Sequence, residues 1–159
     1  MDKTEIHHLT ADQKLKHWGY GEWVEEPDEV IFEYEGWKCR IRRPGGGYLC
    51  GYICIPENNK YYLKDFDEID IEVHGGITYS EKKEEGNWIG FDCAHINDYT
   101  PHTKRMYQTI PEMTKIREDS EKRMEKLGIT STIPKPTYKN IAFCIQQCQS
   151  MVDQLKALV

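Results

Sequence analysis

No stretch of this 159-residue chain approaches the roughly 20 consecutive apolar residues that cross a bilayer. The opening MDKTEIHHLT also lacks the apolar segment of a secretory leader, so the expected location is the cytoplasm. Positive charge is in the minority. Lys plus Arg number 21 against 27 Asp plus Glu, a net charge of −6. An acidic chain does not collect long phosphate backbones by bulk electrostatics, which argues against a general DNA or RNA binder and against a membrane-surface protein. Several motifs are missing. There is no Cys-x2-Cys zinc knuckle, no Gly-x-Gly-x-x-Gly, no Gly-Lys-Ser/Thr phosphate loop and no nucleophile elbow around a serine. Internal repeats and low-complexity tracts are absent too.

What is present suffices for a packed core. The hydrophobic fraction is 38% and the aromatic fraction 11%, too high for disorder and enough for one domain without staples. The six cysteines, Cys39, Cys50, Cys54, Cys93, Cys144 and Cys148, are expected as free, buried thiols in a reducing compartment.

Thr10 and Gln13 have capping-box spacing, and Gly19 can close the short helix 10–18, with Leu15 and Trp18 pinning it to the body. His7 and His8 read as an ordinary terminus. From residue 28 to 93 the period is two, predicting a sheet. Val30 to Tyr34, Lys38 to Arg42 and Tyr48 to Ile55 form a meander. Asp67 to Val73, Ile77 to Ser80 and Trp88 to Cys93 add further strands, with 81–87 as a charged loop. Residues 95–111 read as irregular. A largely exposed helix is predicted over 111–127, followed by a linker at 129–137. The final helix, 138–158, carries Ile141, Ile145, Cys148, Val152, Leu155 and Val159 at steps of four and three, so it should cover the apolar face of the sheet. The fold class is α+β: one domain, a mainly antiparallel sheet of five to six strands, a C-terminal helix packed on it and a more exposed helix before it.

Two constellations could carry chemistry. Asp70-x-Glu72-x-His74-Gly75-Gly76 precedes Asp92-Cys93-Ala94-His95-x2-Asp98. Asp70 and Glu72 fit the polar outer face of a sheet. His74, Asp92 and His95 are candidate catalytic residues. The same three with Asp98 are a candidate divalent-metal set, because imidazoles with carboxylates suit Mn, Zn or Fe and general acid–base work. A buried Asp–His pair that only ties two loops together would use the same residues. Cys93 beside His95 lacks the base-and-orienter arrangement of a thiol nucleophile. The second constellation is Arg40, Arg42 and Arg43 before Pro44-Gly45-Gly46-Gly47, with Tyr48 and Tyr52 on the next strand. Arg40, Arg42, Tyr48 and Tyr52 are candidate ligands for a compact anion bearing a ring. A hairpin whose arginines pair with neighbouring acids remains the alternative. Trp18, Trp23, Trp37 and Trp88 read as core and rim packing.

The strings Leu49-Cys50-Gly51-Tyr52-Ile53, His74-Gly75-Gly76-Ile77-Thr78-Tyr79 and Trp88-Ile89-Gly90-Phe91-Asp92-Cys93-Ala94-His95-Ile96-Asn97-Asp98 resemble a group of small uncharacterised bacteriophage and prophage proteins. The resemblance supplies no activity. It implies an accessory protein in the cytoplasm of an infected bacterium that counters host defence by binding an effector or a nucleotide signal. Three functions follow as expectations. The first is binding of a compact anionic ligand such as a nucleotide. The second is metal-dependent hydrolysis at the His/Asp cluster. The third is inhibition of a host defence protein through the acidic strand and the helix 111–127, with self-association of the chain also open.

Overall fold

The computed structural model describes residues 4–109, 111–128 and 136–158. Six strands form one antiparallel sheet: β1 (Glu5–His7), β2 (Glu29–Tyr34), β3 (Trp37–Arg42), β4 (Cys50–Ile55), β5 (Tyr79–Lys83) and β6 (Gly86–Asp92), in the order β1-β2-β3-β4-β6-β5. Among the described residues four α-helices accompany it: α1 (Ala11–Trp18), α2 (Pro101–Thr109), α3 (Pro111–Lys126) and α4 (Ile141–Ala157). The α+β class, the antiparallel sheet and the covering C-terminal helix are as expected.

Period-two patterning decides the two faces. Val30, Phe32, Trp37, Cys39, Ile41, Ile53, Ile55, Ile89 and Phe91 point one way and are buried. Against them α4 sets Cys144, Cys148, Met151, Val152 and Leu155, each with no exposed surface. Full burial of a Val, Leu or Met side chain stabilises by about 1.5–3 kcal/mol, so this seam is the main apolar term. Gly51 keeps it tight, because a Cβ there would sit 2.5 Å from the Phe91 ring. Asn140 caps α4, accepting the Phe143 N–H at 2.8 Å. On the opposite face stand Arg40, Arg42, Tyr52, Trp88, Tyr79 and their neighbours, which no helix covers among the described residues.

Several expectations are corrected. The alternation at 67–73 is real in exposure, with Ile69 buried and Asp70 and Glu72 exposed, but it makes no ladder. Phe66–Glu68 is a single 3₁₀ turn, and the extended segment after it runs along α4. There glutamine amides replace a partner strand. Gln154 Oε1 accepts the Glu72 N–H and Gln154 Nε2 donates to the Glu72 carbonyl, both at 2.7 Å, while Gln147 Oε1 accepts the His74 N–H at 2.9 Å. The charged segment 81–87 is not a loop. Tyr79–Lys83 and Gly86–Asp92 form a hairpin with Glu84 and Glu85 at its turn, because an edge strand open on both sides tolerates charge. Residues 101–109, expected to be irregular, are α2. His7 belongs to β1 rather than to a mere terminus. Leu15 is 42% exposed, and it is Lys14 that is buried beside Trp18. The Lys14 ammonium is held by Asp28 at 3.0 Å, by the Trp23 carbonyl at 2.9 Å and by the Glu26 carbonyl. Of the expected linker, 129–135 lies outside the described residues.

Leu155→Ala should remove about 2–5 kcal/mol of stability, read as a lowered urea midpoint. All six cysteines are buried and unpaired, and burial pushes the Cys39 thiol up to about 12 and Cys50 to about 11. A thiol reagent should therefore count six groups in denaturant and react slowly with the native chain.

Candidate functional site

The His/Asp constellation converges where β6 ends and α4 begins. After Asp92 the chain turns, and Asp98 N–H donates to the His95 carbonyl at 2.9 Å. Asp98 then forms a parallel bridge to Thr137, just before α4. Its carboxylate has no exposed surface, so its charge must be met inside the protein. Four donors meet it. His74 Nε2 lies 2.9 Å from both oxygens, His95 Nδ1 is 3.1 Å and the His95 backbone N–H 2.9 Å from Oδ2, and the Lys139 ammonium is 3.2 Å from Oδ1. Burial alone would raise the Asp98 pKa. The hydrogen bonds from His74 and His95 outweigh it and hold the carboxyl below the ordinary aspartate value.

The two imidazoles stand edge to face, with centroids 5.3 Å apart, and His74 also meets the Phe143 ring of α4 edge-on at 5.2 Å. Gly75 makes this approach possible. Its φ is +71°, and a Cβ would sit 2.1 Å from His95 Cε1. His74, His95 and Asp98 each offer one ligand atom, and these atoms lie within 4.8 Å of one another. The group can hold a metal ion. Two imidazole nitrogens and a carboxylate suit zinc, manganese or iron. The histidine side chains keep 20% and 34% of their surface exposed, so the set is closed on the Asp98 side and open on the other.

Asp92 stands outside that trio. Its Oδ1 accepts the Ala94 N–H at 3.1 Å and lies 3.6 Å from His95 Nε2, so it flanks the open nitrogen of His95. Asp70 and Glu72 point to solvent away from the cluster. Cys93 is buried, and its thiol is pushed far up, first by a hydrogen bond with Cys144 and then by burial, which disfavours the thiolate that nucleophilic attack needs.

The arginine constellation divides. Arg43 is fully buried and structural, donating to Asp28 at 2.8 Å, to the Gly47 and Pro27 carbonyls and to the Tyr138 hydroxyl. Arg40 is paired with Glu29. Arg42 is exposed and makes no ion pair among the described residues. Arg40, Arg42 and Tyr52 do line one groove, of about 240 Å³, together with Tyr79, Glu81, Lys83, Glu85 and Trp88. Tyr48 is not part of it. Trp88, read as packing, is half exposed here.

Sequence reasoning missed Lys139, Gly75 as a packing partner, and the wall of Tyr79 and Trp88. Lys139 carried no signal, since it is 41 positions from Asp98 in sequence and only the bridge between Asp98 and Thr137 brings it there. The wall was readable in principle, because Tyr79, Glu81 and Lys83 alternate with Ser80 and Lys82 beneath the charge.

Compared with protein-family models, with curated proteins and with solved structures, the chain matches none. Among the described residues, no helix is long and apolar enough to cross a membrane.

Because the native pKa of Asp98 is depressed, its carboxylate stabilises the fold at pH above the unfolded value near 3.9, and the contribution disappears as pH falls through the lower native value. Asp98→Asn should cost about 3–5 kcal/mol at pH 7, because it strands Lys139 and the imidazoles. The gap between wild type and variant in urea midpoint should narrow as the pH drops below 4.

Proposed function

We propose that the protein is a metal-dependent hydrolase whose divalent ion is held by His74, His95 and Asp98. The observation that carries this reading is the convergence of three ligand atoms from three separate positions of the chain to within 4.8 Å. Three protein ligands, two of them partly exposed, leave coordination positions for water and substrate, the pattern of catalytic rather than closed structural sites. When bound, such an ion supplies Lewis acidity and lowers the pKa of its water to about 7.

The chain's own groups have distinct roles in this reading. Asp98 orients both rings, and Lys139 keeps one of its oxygens engaged, leaving the other for the ion. Neutral imidazole donates a lone pair to a metal only from the nitrogen that carries no proton. Loading would therefore require His74 Nε2 and His95 Nδ1 to be free of protons, with each ring protonated at its opposite nitrogen. For His95 the opposite nitrogen is the one beside Asp92, whose carboxylate can accept that new N–H. Asp92 is thus a positioning residue that fixes the loaded tautomer.

Isothermal titration of the purified chain with Zn²⁺, Co²⁺ and Mn²⁺ tests the reading, alongside hydrolysis of aryl phosphate, phosphodiester and acetate reporters. One ion per chain is expected. Affinity should fall at least about tenfold in His95→Gln, and in Asp92→Asn by about 10–100-fold or less. Reporter hydrolysis should stop with chelator and return with metal. Failure to bind any of the three ions, or unchanged binding in His95→Gln, would overturn the reading.

A further inference from the structure

The uncovered face of the sheet is independent of the metal trio, and its register is informative. Across it run three rows of outward side chains. One is Ile31, Arg40, Tyr52, Gly90 and Tyr79, the second is Glu29, Arg42, Cys50 and Asp92, and the third is Glu33, Lys38, Cys54, Trp88 and Glu81. Gly90 makes a gap in the first row, and Tyr52 leans into it. A Cβ at Gly90 would lie 2.4 Å from Tyr52 Cδ1. Tyr79 closes the gap edge-on to Tyr52, at 5.0 Å between centroids. Neighbouring acids fix the other groups of the groove. The Tyr79 hydroxyl donates to Glu81, and Trp88 Nε1 donates to Glu85 at 3.0 Å. The aromatic wall is therefore held in place before any ligand arrives.

Its charges are sorted as well. Arg42 faces the groove from β3 without an ion pair among the described residues, while Glu81, Lys83 and Glu85 line it from the β5–β6 hairpin at the far side of the sheet. A simple anion has no use for the carboxylates, and a simple aromatic has no use for the guanidinium. A ligand with a negative group at one end and a flat ring bearing N–H donors at the other uses both. We infer that this groove on the open face is a binding site for a nucleoside monophosphate, with the phosphate on Arg42, the ring against Tyr52, Tyr79 and Trp88, and Glu81 accepting from the base.

Size and flanks fix the occupant as compact. At about 240 Å³ the groove falls below the range of about 300–1,000 Å³ that encloses drug-sized ligands. It holds one ring and leaves the sugar-phosphate on the surface. Beyond Arg40 and Arg42 the face turns acidic, with Glu29 and Glu33 on β2 and Glu5 on β1. A continuing phosphate backbone would meet these carboxylates, so an extended single strand is disfavoured. A guanidinium–phosphate contact and a stacked ring both contribute to such a ligand's affinity, so neither half of the ligand alone should bind comparably.

The test is isothermal titration of the full chain with each of the four common ribonucleoside monophosphates, the matching nucleosides, inorganic phosphate and a short oligonucleotide. At least one monophosphate is expected to bind one per chain. Its nucleoside and free phosphate should each be at least about tenfold weaker. Arg42→Ala and Tyr79→Ala, both at surface positions, should each weaken it at least about fivefold, whereas His95→Gln should leave it unchanged. That last arm separates this site from the metal trio, because each can fail while the other stands. No heat from any monophosphate at millimolar concentration, binding that survives Arg42→Ala, or phosphate binding as well as the nucleotide would overturn the inference. So would an oligonucleotide that binds more tightly per chain than the monophosphate.

Discussion

The buried charge of Asp98 organises the region where chemistry can occur. An ionised carboxylate with no exposed surface is tolerated only when donors surround it, and here they come from three parts of the chain. His74 arrives from the segment that runs along α4, His95 from the turn after β6, and Lys139 from the residues leading into α4. Each contact fixes the path of its own segment. Had any of the three been spaced differently, the carboxylate would be neutral or the loop elsewhere. The donors that satisfy the charge are also, once their protons move, the ligands a cation would need. Structural satisfaction and metal capacity are two states of one cluster.

The sheet contributes through the difference between its faces. One is filled by α4, whose glutamines also satisfy the backbone of residues 72 and 74. This is how His74 reaches the end of the sheet without belonging to a strand. The other face stays open and carries the groove. The row Arg42, Cys50, Asp92 lies between the two candidate sites, which share no residue. Adjacent strands are about 4.8 Å apart, so Arg42 and Asp92 are about 10 Å apart at their backbones, and Asp92 flanks His95.

Much of the fold was legible because short-range rules governed it. The capping box at Thr10, the meander and the stripe of α4 all follow from periodicity and capping chemistry. The failures share a cause. Alternation at 67–73 reports one buried side, and a helix surface supplies that side as well as a sheet does. The charges of 79–86 masked a hairpin, because an edge strand can be charged on every outward position. The histidines and Asp98 could be picked out by residue type and by their place near strand ends. Lys139 could not, since its role depends on a bridge between Asp98 and Thr137 that no local pattern announces. The arginines were singled out as a unit, yet burial separates Arg43 from Arg42, and only the folded chain distinguishes them.

The most direct test of the account is long-range ¹H–¹⁵N correlation of the histidine rings, recorded before and during titration with Zn²⁺. In the metal-free chain the account requires His74 protonated at Nε2 and His95 at Nδ1, both donating to Asp98. Stoichiometric zinc should move those protons to the opposite nitrogens and leave the signals of His7 and His8 unchanged. Rings that show averaged tautomers before zinc, or that keep their original protonation at saturating zinc, would contradict it.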